Sequence, residues 1–219
     1  MFQNLQMNGQ IKVCTTVILR SALFCILIWF TACSEDKISE SEGEIQVSER
    51  EIQAEDGTIF IRIDDIPGDI PIDDESRFGA ATHFTGAALS PDGTRLAITT
   101  AGVAHGAGWI FDIETDEIIP AAFQYGGSVE AGPWDSDGQQ VIFAEKNPAS
   151  GQTLSIADAR STGSNVSETS RPIQLPNHEE SGTGEAVYQP IKWDGEKFIF
   201  EVNDERYYYN PSTEIIEEF

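Results

Sequence analysis

Beyond residue 33 the sequence contains no cysteine: Cys14, Cys25 and Cys33 are the only three. Everything downstream must therefore fold without an internal disulfide, and it has neither a thiolate metal site nor a cysteine nucleophile. Histidine is as scarce, with only His83, His105 and His178, and no two of them stand at the i+3 or i+4 spacing that puts paired imidazoles on a metal. Positive charge is in short supply too. Thirteen Lys and Arg face 37 Asp and Glu, for a net charge of -24. A chain so charged repels phosphate backbones and has no basic patch to displace their counterions, which excludes a nucleic-acid partner. Long apolar runs are also missing: the longest, Ala22 to Phe30, is about nine residues, against the roughly 20 needed to span a bilayer.

What is there begins with an address. Val13 to Ala32 reads VCTTVILRSALFCILIWFTA, with Lys12 and Arg20 as its positive element, the pattern of a cleaved signal peptide over residues 1–32. Met7 is an alternative start that leaves a more usual length before the apolar run. The run ends in Phe30-Thr31-Ala32-Cys33, which resembles the lipobox of bacterial lipoproteins; Phe30 departs from it, since that position usually holds an aliphatic residue. The resemblance implies cleavage before Cys33 and acylation, palmitate included, of the new N-terminal cysteine. Burial of its methylenes at about 0.8 kcal/mol each would attach the protein to a membrane without crossing it. Ser34 is similar to residues that permit sorting to the outer membrane. The expected location is therefore lipid-anchored there, facing the periplasm or the cell surface.

Residues 33–57 are rich in Glu and Ser and lack aromatics, as a flexible acidic tether would, with a short helix or strand around Glu44 to Ile52 as an alternative. The folded domain is expected over residues 58–219. It opens with a strand at Thr58 to Ile63 and an acidic loop. Asp64, Asp65, Asp69, Asp73 and Asp74 are weak metal candidates there, because hard cations take clustered carboxylate oxygens. The spacing lacks the D-x-[DN]-x-[DN]-G pattern of a calcium loop, and Pro67 and Pro71 fix turns, so the expectation is a solvated loop with no metal and no cofactor.

The main signal is a repeat. LSPDGTRLAI from Leu89 returns as WDSDGQQVIF from Trp134, a shift of about 45 residues, and again in shortened form as WDGEKFIF from Trp193. Each copy pairs a tight turn with an alternating apolar strand, and Leu96 and Ile98 are expected on one face with Arg95 and Ala97 on the other. A second strand follows each turn and ends at Asp112, Asp158 or Asn210. Repeats of this length that supply short antiparallel strands read as propeller blades. The SPDG turn resembles that of TolB-type, WD40-like β-propeller repeats and of prolyl-oligopeptidase propellers. The expected fold class is all-β: antiparallel blades in a small or incomplete β-propeller with about three recognisable blades.

The resemblance brings a scaffold and no active site, because no G-x-S-x-G nucleophile turn is present. Propellers bind through inter-strand loops at one end. The glycine-rich Ala101 to Trp109 and the stretch Tyr125 to Trp134 are such loops by this reading, which makes His105, Trp109, Tyr125 and Trp134 the candidate ligand-binding residues. The expected function is a non-catalytic binding or scaffold module, and the alternative is an envelope glycan-acting lyase or hydrolase using metal or carboxylates. The expected partners are an envelope protein or polymer, the membrane through the lipid anchor, and a second copy through open blade edges.

Overall fold

A computed structural model describes residues 45–149, 151–175 and 186–219. Cys33, the signal segment, the first part of the tether and His178 lie outside the described residues. The fold is all-β, built from antiparallel sheets in chain order.

The first sheet is β1 (Ile45–Val47), β2 (Glu51–Ala54) and β3 (Ile59–Arg62). The ordered domain therefore begins before Thr58: residues 45–57, expected in the tether, fold because Ile52 pairs with Ile61 and both are buried. A 3-10 turn at Ile63–Asp65 leads to the hairpin of β4 (Asp69–Pro71) and β5 (Arg77–Gly79).

Three four-stranded meanders follow, one per repeat. Blade 1 is β6 (His83–Leu89), β7 (Arg95–Ala101), β8 (His105–Asp112) and β9 (Glu117–Tyr125). Blade 2 is β10 (Ser128–Trp134), β11 (Gln140–Asn147), β12 (Gly151–Asp158) and β13 (Ser170–Pro172), with the four-residue helix α1 (Val166–Thr169) before its last strand. Blade 3 is β14 (Gln189–Asp194), β15 (Lys197–Val202), β16 (Glu205–Asn210) and β17 (Ile215–Glu218).

The blades stack face to face. Leu96, Ile98 and Trp109 of blade 1 join Ile52, Ile61 and Ile70 in one apolar cluster, while Ala97, Ile110 and Ala122 on the other face of blade 1 meet Val141 and Phe143 of blade 2. Ile142, Leu154 and Ile156 of blade 2 in turn meet Phe198, Phe200 and Tyr209 of blade 3. A central blade is thus apolar on both faces, so β7 and β11 read as continuous runs rather than strict alternation. Among the described residues no apolar cluster joins blade 3 back to the first sheet, so the blades form an open arc. The outward face of blade 3 carries charge: Lys197 pairs with Glu217 at 2.8 Å and Arg206 with Glu201 at 3.1 Å.

The repeated turns gather at one end. Asp92 accepts the hydroxyl of Ser90 (2.7 Å) and the backbone N–H of Thr94 (3.1 Å), and Gly93 closes the turn at φ 72°. In blade 2, Asp135 accepts the N–H groups of Gln139 and Gln140 at 2.7 and 3.0 Å. Asp112 and Asn210 cap the next turn of their blades by accepting the N–H groups of Thr115 and Thr213. Asp92, Asp112 and Asn210 form Asx turns, in which a short polar side chain holds the chain reversal, and Asp135 spans its turn to residues four and five ahead. They account for the most distinctive letters of the repeat.

Candidate functional site

The opposite end of blade 1 is built differently. Hairpin β7–β8 turns there within Gly102 to Ala104, and the chain leaves β9 at Tyr125 for blade 2 through Gly126 and Gly127. Gly126 N–H donates to Ala104 O (2.8 Å) and Asn147 Nδ2 of blade 2 donates to Tyr125 O (2.8 Å), so two hairpin tips and the connection between the blades are tied together. Val103 is 97% exposed at its tip and Tyr125 is 60% exposed.

Beneath the tips lies an aromatic cluster. His105, only 4% exposed, has Phe78 of β5 edge-on at 4.9 Å and Phe123 of β9 stacked at 5.9 Å. Phe78 also meets Tyr125 edge-on at 5.4 Å and Phe123 at 5.2 Å. Gly102 leaves room for the imidazole, since a Cβ there would fall 2.0 Å from His105 Cε1. Among the described residues neither ring nitrogen of His105 has a hydrogen-bond partner, and burial alone holds its pKa below the usual histidine range.

Of the four predicted site residues, only His105 and Tyr125 come together here. Trp109 is fully buried in the core and donates its indole N–H to Thr100 Oγ1 at 3.0 Å. Trp134 is buried between blades and donates to Ala88 O at 3.0 Å. Both are structural residues, because large apolar rings with a satisfied N–H are what a blade interface buries.

The glycine-rich stretch Ala101 to Trp109, expected as a loop, is mostly strand. Gly106 and Gly108 lie inside β8, where blade 2 approaches: a Cβ on Gly106 would sit 2.7 Å from Val129 N, and one on Gly108 would sit 2.7 Å from Phe143 Cε1. Their smallness serves blade stacking, and only Gly102 to Ala104 is a connection.

The acidic candidates are dispersed. Asp64 pairs with Arg50 at 3.0 Å, Asp69 with Arg77 at 3.4 Å, and Asp65 accepts the N–H of Arg62. Asp73 accepts from Glu75 and Ser76, which holds its carboxyl below the ordinary range, and Asp74 accepts from Asn165 Nδ2. Among the described residues no group of three His, Cys, Asp or Glu is arranged to hold a metal ion.

The sequence reading missed Phe78 and Phe123, which close the cluster, and Glu145. Phe78 follows an acidic loop with no clear period, and Phe123 lies within an ordinary strand, so neither stood out. Glu145 of β11 is pushed up by burial, opposed in part by the Ser155 hydroxyl it accepts at 2.6 Å.

The three meanders and their face-to-face stacking define an open β-propeller. No family model matches the chain, and no curated protein does. Similar solved structures include one from a study of two prolyl endopeptidases (14% identity, 78% of this chain and 26% of that one, TM-score 0.48). Another is TolB from Acinetobacter baumannii, at 16% identity over 80% of this chain and 40% of that one, with a TM-score of 0.43. A third is the β-propeller domain of the trilobed protease from Pyrococcus furiosus, of open velcro topology: 13% identity, 62% of this chain and 42% of that one, TM-score 0.41. The chain spans between 26% and 42% of the length of these structures.

Proposed function

We propose that the chain is a lipoprotein of the bacterial outer membrane, acylated at Cys33, whose open propeller is a non-catalytic binding module displayed toward the periplasm or the cell surface. The observation that carries this reading is the division of labour between the two ends of blade 1. One end holds the repeated Asx turns; the other presents Val103 and Tyr125, large apolar side chains left in water at non-repeated tips. Exposed apolar residues on a rigid scaffold suit an interaction surface, and its partner would be an envelope protein or polymer. A second copy, pairing through open blade edges, is a further partner in this reading.

The anchor is tested by labelling cells with radioactive palmitate and fractionating membranes for wild type and Cys33→Ala. The reading expects label and membrane association in the wild type and loss of both in the variant. Unlabelled wild type, or a variant that stays membrane-bound, would contradict it.

A further inference from the structure

The imidazole of His105 combines three features that seldom occur together. It is almost fully buried, both its nitrogens lack partners among the described residues, and it is the centre on which Phe78, Phe123 and the Gly102 turn converge. A structural histidine normally satisfies at least one nitrogen, since a buried unpaired polar atom costs about 1–3 kcal/mol. The neutral ring tolerates this site as an aromatic tile. A charged ring has two N–H donors and nowhere to direct them.

We propose that His105 is an acid-sensitive latch: neutral, it holds β5 of the β4–β5 hairpin against blade 1 through Phe78, and on protonation it leaves the cluster, loosening β5 and exposing Phe78 and Phe123 beside Tyr125. The hairpin forms no β-ladder with a blade; Ile70 anchors β4 in the core and Ser167 N–H to Ile72 O ties its loop to the α1 segment, so β5, which carries Phe78, is the part that His105 holds.

The surrounding charges offer the imidazolium no relief. On β4 and β5, Asp69 and Arg77 are paired with each other at 3.4 Å. On β6, His83 Nδ1 is engaged with Thr82 Oγ1 at 3.0 Å; β9 carries Tyr125 near the ring and Glu117 at its far end; and at that same far end Asp112 of β8 pairs with Arg95 of β7 at 3.4 Å. On blade 2, Glu130 and Lys146 form their own pair, and Glu145 is held by Ser155. Burial lowers the pKa of the ring from the ordinary histidine value. Attraction between an imidazolium and the stacked face of Phe123 would return about 0.5–2 kcal/mol. That is less than the several kcal/mol needed to desolvate an unpaired ion.

The latch does not depend on the anchor reading, and its test uses the full chain. Amide hydrogen exchange is followed by mass spectrometry at pH 7.5 and pH 5.5, corrected for the intrinsic pH dependence of exchange. Exchange in residues 69–79 is expected to rise by about tenfold or more at the lower pH while β11 and β15 stay protected. His105→Phe, which keeps an aromatic tile and removes the titration, is expected to abolish the rise. An unchanged wild type, or a variant with the same rise, would overturn the proposal. Should the variant not fold, the wild-type His105 titration by NMR decides: a midpoint below that of a free histidine supports the latch, and one at or above it overturns it.

Discussion

Trp134 Nε1 donates to the carbonyl of Ala88 at 3.0 Å, and Trp193 Nε1 makes the same bond to Pro133 at 3.1 Å. Ala88 and Pro133 precede Leu89 and Trp134, the equivalent positions of their repeats, so each bond runs from the inner strand of one blade to the same place on the blade before. The repeated tryptophan is a staple between blades. It places an apolar ring and a satisfied donor together where two sheets meet.

Trp134→Phe and Trp193→Phe keep a ring and remove one hydrogen bond at each blade interface. Each is expected to lower stability by about 0.5–1.5 kcal/mol, read from the urea midpoint. Trp134→Ala is expected to cost about 3–5 kcal/mol, since a cavity between blades is added. Equal midpoints for wild type and both Phe variants would contradict the stapling role.

Gly106 and Gly108 carry blade stacking rather than loop flexibility, which makes the effect of a single methyl group specific. Gly108→Ala is expected to destabilise by about 1–3 kcal/mol through Phe143. Gly106→Ala is expected to cost more, because its obstacle is the backbone at Val129 and Ser128 and not a ring that can shift. Phe143→Leu combined with Gly108→Ala should recover part of the loss. Additive effects in that double-mutant cycle would show that the two residues are not in contact.

Glu145 sets a pH signature with a definite sign. Its folded-state pKa is raised by burial, so the folded protein holds this proton where the unfolded chain has released it. The contribution to stability is therefore fully present below the unfolded value near 4.5 and is lost as pH rises through the folded value. Glu145→Gln, which keeps the acceptor for Ser155 and removes the charge, is expected to raise stability at pH 7 and to change it little at pH 4. Chemical denaturation at the two pH values reads this directly; a gain of equal size at both would refute it.

Blade 2 reaches back over blade 1 through the segment that contains α1. Asn165 Nδ2 donates to Asp74 Oδ1 at 3.3 Å, Ser167 N–H donates to Ile72 O at 3.0 Å, and Asn165 Oδ1 caps α1 by accepting the N–H of Glu168 at 3.0 Å. Asn165→Ala removes the cap and the tie together, and the expected loss is about 0.5–2 kcal/mol. Limited proteolysis should show faster cutting between residues 159 and 170 than in wild type, and an unchanged cleavage pattern would mean that the segment is held by other contacts.

Much of the fold could be read from the sequence because the propeller repeats its turns. Ser90, Asp92 and Gly93, Asp135 and Gly138, and Asp112 and Asn210 are local devices whose chemistry is visible in a few adjacent letters. The separation of Leu96 and Ile98 from Ala97 followed from strand alternation alone. The site was less legible. Trp109 and Trp134 resemble surface anchors by type, but blade stacking buries them, and only the neighbouring blade decides this. The glycines of β8 read as a loop for the same reason, since the atoms that require them belong to Val129 and Phe143 in the next blade. Residues 45–57 read as a polar tether with a short helix or strand around Glu44 to Ile52 as the alternative, and two strands form there, with Ile52 paired to Ile61 and Ile45 packed against the same core.

The central claim is that the partner meets the arc at the non-repeated tips of blade 1. A photo-crosslinking amino acid placed in turn at Val103, at Tyr125 and, at the opposite end, at Glu114 tests it in intact cells. The account predicts a discrete adduct from the first two positions and none from Glu114. Adducts from Glu114 alone, or from none of the three, would contradict it.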